Sequence, residues 1–342
     1  MRSQILLIIA IFIVPISCPF HHLPSALGES QNPADAGSVV KVAAAQLLTD
    51  VGDLQRNKEK ILGAIRDAKS AGCHVVLFHE GCLTGYPSRE HLSSIDFAEV
   101  RKAEHEVRDL AEKLGIAVLL GSTGREGDQF FNYVIVVDEQ GRVLGQYNKT
   151  WRAGEAHYCA GEGPVIFRIA GVEATVIICH DLRYPELARL AVTAGARIVF
   201  IANNESGITA EHKQLGYRSM QISRATENLV YSVMSNCPAD RENVTRPNCS
   251  HGNSKIVDPM GNVIDEAGVF EERLVTAELK MKQATASTAR RTVGQNESTS
   301  RLYGTTFENK AYAEWLKAGL KLVRRLDGTA VPPHFRKAAV AK

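Results

Sequence analysis

The chain has 342 residues, 44% of them hydrophobic and 23% charged, which gives enough apolar surface for one large packed domain or two modest ones. That composition excludes a disordered chain and a multispanning membrane protein. Forty Lys and Arg against 38 Asp and Glu leave a net charge of +2, too small for a footprint on nucleic acid or anionic lipid, so the expected partner is a small molecule.

Residues 1–28 read as a signal peptide. Arg2 precedes an uncharged apolar run at 5–18 that is too short for an ordinary spanning helix, and Ala26-Leu27-Gly28 offers a small-x-small cleavage site. Export to a periplasm or the extracellular space follows, with no stable membrane insertion after cleavage. An uncleaved N-terminal anchor, or lipidation at Cys18, is the alternative. The seven cysteines (18, 73, 82, 159, 179, 237 and 249) show no C-x-x-C spacing, so no metal is expected, and chemistry at a thiol nucleophile calls for no organic cofactor. In an oxidising compartment the six beyond Cys18 are open to pairing.

From residue 39 strands and helices alternate. Val39 to Leu48 reads as a strand, Leu54, Ile61, Leu62, Ile65 and Ala68 recur at helical spacing, and Val75 to Phe78 is a second strand. A helix at about 96–114 precedes strands at 116–121, 132–138 and 142–147, the last two joined by a turn at Glu139-Gln140-Gly141. A hairpin turns at Ala170-Gly171 into strand 172–178. Helix 185–194, strand 198–202, helix 212–226 and strand 229–235 follow, then a turn at Asp258-Pro259-Met260-Gly261. The pattern predicts a mixed α/β sheet system spanning 39–281. Residues 282–342 show no strand pattern and one helix at 310–325, and read as a C-terminal arm packing on the domain or on a neighbouring subunit.

Three reactive side chains stand where an apolar strand gives way to a loop: Glu80 after VVLFH, Lys149 after VLGQYN and Cys179 after ATVII. Singly, an acid or a lysine there is ordinarily a solvated strand end. Together they supply a thiol nucleophile, a carboxylate to move its proton to a leaving amine, and an ammonium to hold an oxyanion.

The stretches HEGCLTGY (79–86), YNKTW (147–151) and ICHDLRYPELAR (178–189) resemble, in order, the three motifs of the nitrilase superfamily of carbon–nitrogen hydrolases. RATENLVY (224–231), with the SNCPA that follows, and HGNSKIVDPMGNVI (251–264) extend the resemblance over about residues 40–280. It implies a four-layer αββα sandwich and a Glu80, Lys149, Cys179 triad. It further implies that Glu155 orients substrate and lysine, that the His180 backbone N–H is a second oxyanion donor, and that the protein forms a homodimer or higher oligomer through the helix after Cys179 and the C-terminal arm. Lys149 is expected to keep Cys179 ionised, and Cys179 to be the one alkylatable thiol of the exported chain. Arg183 either pairs with Glu186 at the start of a helix or faces the pocket and binds a substrate carboxylate.

The expected reaction is hydrolysis of a non-peptide carbon–nitrogen bond, in an amide or N-carbamoyl compound, through a cysteine thioester. Nitrile hydrolysis and an inactive binding domain on the same scaffold are the alternatives. A cysteine peptidase using Cys179 with His180 or His251 is disfavoured, because adjacent side chains on one segment pair poorly as nucleophile and base.

Overall fold

The structure, a computed structural model, describes residues 38–205, 211–291 and 310–335. The signal peptide read at 1–28, and Cys18 with it, lies outside the described residues.

Two sheets face each other. The first runs β12-β1-β2-β3-β4-β5, built from β1 (Val39–Gln46), β2 (Val75–Phe78), β3 (Ala117–Glu126), β4 (Gln129–Val137), β5 (Val143–Asn148) and β12 (Arg273–Lys280). The second runs β11-β10-β9-β8-β7-β6-β13, from β6 (Val165–Ile169), β7 (Val172–Ile178), β8 (Ile198–Asn203), β9 (Tyr231–Asn236), β10 (Lys255–Val257), β11 (Val263–Glu266) and β13 (Arg324–Leu326). In each, parallel central strands are flanked by antiparallel hairpins: β1, β2 and β3 in one, β7, β8 and β9 in the other.

Burial follows the two-residue period of the strands. Val40, Val42 and Ala44 of β1 join Ala174, Val176 and Ile178 of β7 in the core between the sheets. Ala43 and Ala45 point the other way, under α1 (Leu54–Ser70) and, beyond the short α2 (Arg89–Ser94), α3 (Phe97–Leu114). Ile177, Val199 and Ile201 likewise pack under α4 (Pro185–Thr193) and α5 (Glu211–Thr226). Both sheet faces are therefore covered, which is the αββα sandwich, and it explains why these strands read as continuous apolar runs. On α1 the buried positions Asn57, Ile61, Ala64, Ile65 and Ala68 keep helical spacing, and the Asp53 carboxylate caps the helix by accepting from the Arg56 N–H.

The C-terminal segment departs from its sequence reading. After the short α6 (Ser287–Arg291), α7 (Lys310–Leu320) ends before 325, and β13 pairs in parallel with β6 to extend the second sheet. Three residues are too few to show an alternating pattern, so the strand is invisible in sequence. Leu326 is 5% exposed within the inter-sheet core, and a Cβ at Gly145 would meet it at 3.0 Å. The His334 imidazole reaches the buried Glu104 carboxylate of α3 at 2.8 Å, where Ser122 and Tyr133 also donate. The described part of the arm thus packs on its own domain.

Leu326→Ala removes a side chain from this core and should lower stability by about 3 kcal/mol, read as the shift in a urea unfolding midpoint. A change under about 0.5 kcal/mol, the range of ordinary surface substitutions, would show that β13 is not docked in solution.

Candidate active site

Four strand ends converge. β7 ends at Ile178, and Cys179 begins a 3₁₀ turn over Cys179–Arg183 that leads into α4. Its φ of 44° is a left-handed conformation that a residue with a Cβ adopts at a cost of about 1–2 kcal/mol. Asp181, fully buried, holds this turn: its carboxylate accepts from Ile178 N–H at 3.1 Å, Tyr147 hydroxyl at 2.8 Å and Trp151 N–H at 2.6 Å. The nucleophile's turn and the lysine's loop are therefore locked by one side chain. Burial lifts the Asp181 pKa to about 6, so it is ionised at neutral pH.

Lys149 follows β5, and its N–H donates to the Asn132 carbonyl at 2.9 Å. The ammonium lies 2.8 Å from Glu80 Oε1 and 2.7 Å from Glu155 Oε1, with the Tyr86 ring centroid at 5.6 Å. Glu80 stands two residues past β2, against β3 at Gly121, where a Cβ would sit 1.9 Å from the His79 carbonyl oxygen. Only glycine allows that approach. Glu80 Oε1 also accepts from Asn132 Nδ2 at 2.7 Å, while Oε2 is buried with no hydrogen-bond partner among the described residues. Glu155 accepts in addition from the Tyr86 hydroxyl and the Ala153 N–H.

Two carboxylates share one ammonium, which fixes the protonation pattern. Burial alone would pull the Lys149 pKa down, but the charges of Glu80, Cys179 and Glu155 together hold it above the ordinary lysine value. For Glu80 burial prevails over Lys149 and raises the carboxyl above its usual range. For Glu155 burial is the largest single effect and acts upward, but the charge and hydrogen bond of Lys149 and the hydrogen bond of Tyr86 together outweigh it, and its pKa falls. Cys179 is pushed well above the normal thiol value, first by burial and then by the charge of Glu80, with Lys149 opposing. The expectation that Lys149 keeps the sulfur ionised is therefore corrected: the resting nucleophile is a neutral thiol.

Glu80, Lys149, Glu155 and Cys179 are thus gathered in one site. The His180 N–H is the next backbone donor after the nucleophile, at the start of the 3₁₀ turn, where amides have no intrahelical acceptor. The His180 ring packs edge-on to Tyr184 and is not bonded to the sulfur. Nor is His251, whose Nδ1 lies 3.3 Å from Asn236 Nδ2, so neither imidazole serves the nucleophile as a base. Arg183 forms no ion pair with Glu186 among the described residues. Its guanidinium lies 5.3 Å from the centroid of the Tyr217 ring, because the 3₁₀ turn puts it out of register with α4. Cys73, Cys82, Cys159, Cys179, Cys237 and Cys249 are all free thiols, so Cys179 is not the one alkylatable thiol. Among the described residues no cluster of His, Cys, Asp or Glu is arranged to hold a metal ion.

Three site residues escaped the sequence reading. Asn132 is the lone polar residue inside the strand QFFNYVIVV, a signal in itself. Tyr86 closes the HEGCLTGY stretch. Glu205 follows the apolar β8 as Glu80 follows β2, and the Cys179 thiol donates to its Oε2 at 3.8 Å.

The chain matches the carbon-nitrogen hydrolase family over residues 41–289. It is 28% identical to the 2-oxoglutaramate amidase of Bacillus subtilis (strain 168) over 223 residues, 64% of this chain and 82% of that one. It is also 28% identical to an (R)-stereoselective amidase of a Pseudomonas species, covering 72% of this chain and 88% of that one. Among solved structures, a Cys-to-Ser mutant of Nesterenkonia AN1 amidase from the nitrilase superfamily superposes with a TM-score of 0.64 at 26% identity, over 72% of this chain and 93% of that chain.

Asp181→Asn places an amide donor among three donors. It should cost about 2–3 kcal/mol of stability, seen as a lower unfolding midpoint, because a charge-assisted acceptor of buried N–H groups is lost. An unchanged midpoint would mean that the two loops are held by something else.

Proposed function

Because the chain belongs to the carbon–nitrogen hydrolase family and is an amidase-like enzyme, we propose that Cys179, Glu80, Lys149 and Glu155 carry out amide hydrolysis through a thioester. The observation that carries this reading is the buried Glu80 Oε2, a carboxylate oxygen with no hydrogen-bond partner among the described residues, on a side chain whose other oxygen is fixed by Lys149 and Asn132.

Glu80 takes the Cys179 proton as the sulfur attacks the amide carbon. The oxyanion forms against Lys149 and the His180 N–H. Protonated Glu80 then gives its proton to the leaving nitrogen, the C–N bond breaks, and amine departs from a thioester. A water loses a proton to Glu80 as it adds to the thioester carbon, the C–S bond breaks, and Glu80 returns that proton to the departing sulfur, leaving the carboxylic acid and the free thiol. The raised pKa of Glu80 suits a group that must accept and return a proton near neutrality. Glu155 and Tyr86 keep the ammonium in place.

Export is part of the same proposal, resting on Arg2 and the apolar run at 5–18, and is tested by the N-terminus of protein recovered outside the cytoplasm. Self-association, inferred from the family resemblance, is tested by light scattering at micromolar concentration. A monomeric mass contradicts it.

Ammonia release from simple amides should vanish in Cys179→Ala and fall by about 10²- to 10⁴-fold in Glu80→Gln, which cannot shuttle a proton. Lys149→Ala should lose at least about 10²-fold through the oxyanion. A loss under tenfold in any of the three overturns the role assigned. Glu80 must be ionised to accept the thiol proton, so kcat/KM is retained above its pKa and lost as pH falls through it. Since that pKa is raised, the acid limb should lie above about 4.3, the ordinary glutamate value. A limb at or below that pH contradicts the assignment.

A further inference from the structure

Tyr86 helps to hold Glu155 on the Lys149 ammonium, and its own place is set from the opposite sheet. The peptide N–H of Tyr86 donates to Asn248 Oδ1 at 2.9 Å. Asn248 lies on the loop between β9 and β10, and every hydrogen-bonding position of its side-chain amide is taken. Oδ1 also accepts from Asn204 Nδ2, while Nδ2 donates to the Thr49 carbonyl at 3.0 Å and to the Thr49 hydroxyl at 2.7 Å. These partners fix which end is which. A peptide N–H can only donate and a carbonyl can only accept, so the amide has one orientation.

Thr49 lies just past β1, Tyr86 in the loop after β2, and Asn204 just past β8. One amide therefore joins the two sheets at the end where the site lies. The backbone at Asn248 has a φ of 67°, a left-handed conformation that asparagine tolerates better than most residues, and the Cys237 thiol donates to its carbonyl at 3.0 Å. On the other side of the contact, a Cβ on Gly85 would meet Val51 Cα at 2.5 Å, so the segment leading to Tyr86 runs tight against the loop to which Asn248 is bonded. Pro87 follows Tyr86 and has no N–H to add a tether of its own.

From Tyr86 the chain of contacts reaches the chemistry. Its hydroxyl donates to Glu155 Oε1, the same atom that takes the Lys149 ammonium at 2.7 Å, and its ring centroid lies 5.6 Å from Nζ. We propose that Asn248 is a positioning residue for the oxyanion-binding lysine, acting through the Tyr86 N–H and hydroxyl and then through Glu155. With the Tyr86 N–H released, the hydroxyl no longer fixes Glu155, and Lys149 is drawn by Glu80 alone, away from the place where the oxyanion forms. The inference rests on the amide-hydrolase reading above, in which Lys149 holds the oxyanion, and adds the residue that sets that ammonium.

The test is a double-mutant cycle in kcat and KM for ammonia release from butanamide, with each rate taken per folded protein from the urea unfolding curve of the same variant. Asn248→Gly removes the amide and keeps a backbone that accepts a positive φ. Tyr86→Phe removes the hydroxyl. Each alone should lower kcat by about tenfold to hundredfold with KM within about threefold of wild type, since the oxyanion exists only in the transition state. The double variant should stay within about threefold of the slower single variant because both cut one chain, whereas independent effects multiply. Asn248→Asp keeps an oxygen for the Tyr86 N–H but sets a second against the Thr49 carbonyl. Its unfolding midpoint should fall while kcat stays within about threefold of wild type, a split that a merely structural residue does not give. This variant carries the test if Asn248→Gly does not fold. A multiplicative double variant, a loss under about tenfold in either single variant, or a loss beyond about threefold in Asn248→Asp overturns the inference and leaves the hydrolase reading intact. No ammonia from the wild type, with Cys179 unacylated, overturns the hydrolase reading and the inference with it.

Discussion

An ammonium buried between two carboxylates is the constraint on which this site depends. Lys149 is 2% exposed and Glu80 fully buried, and either charge alone would carry a desolvation cost of several kcal/mol. Paired at 2.7 and 2.8 Å the three groups neutralise one another except for one negative charge. That residual charge, added to burial, keeps the Cys179 sulfur protonated and Glu80 ready to receive its proton. The chemistry proposed for the site thus follows from a count of charges as much as from the identity of the residues.

The scaffold holds this arrangement by packing, without help from a disulfide among the described residues. Parallel strands in the centre of each sheet end on the same side, and the loops after β2, β5, β7 and β8 present Glu80, Lys149, Cys179 and Glu205 to one another. Asp181 ties two of those loops through buried N–H groups, and Gly121 lets β3 approach His79 closely enough to set Glu80. The left-handed backbone at Cys179 is tolerated because the surrounding contacts over-determine it.

Much of this was legible in the sequence. Apolar runs ending in a charged or nucleophilic residue located Glu80, Lys149 and Cys179, and the ordered motifs pointed to the two-sheet sandwich. Glu205 carries the same strand-end signal, with no motif around it to single it out. What stayed hidden was set by tertiary contact. β13 is too short to show a period and exists because β6 offers an open edge. An α-helical register would set Arg183 beside Glu186, whereas the 3₁₀ turn carries it over Tyr217. The protonation of Cys179 depends on burial and on Glu80 lying nearby, neither of which a lysine elsewhere in the chain reveals.

The central claim is that Cys179 carries the acyl group and Glu80 is needed to release it. In Glu80→Gln the thiol must lose its proton to solvent, which slows acylation, but a p-nitrophenyl ester needs no proton for its leaving group, so the acyl-enzyme still forms while its hydrolysis lacks a base. Mixed with Glu80→Gln and analysed by intact mass and peptide mapping, the ester should give one equivalent of nitrophenolate and a stable acyl adduct on Cys179, absent in Cys179→Ala. Steady turnover with no adduct, or an adduct on any other residue, would contradict the account.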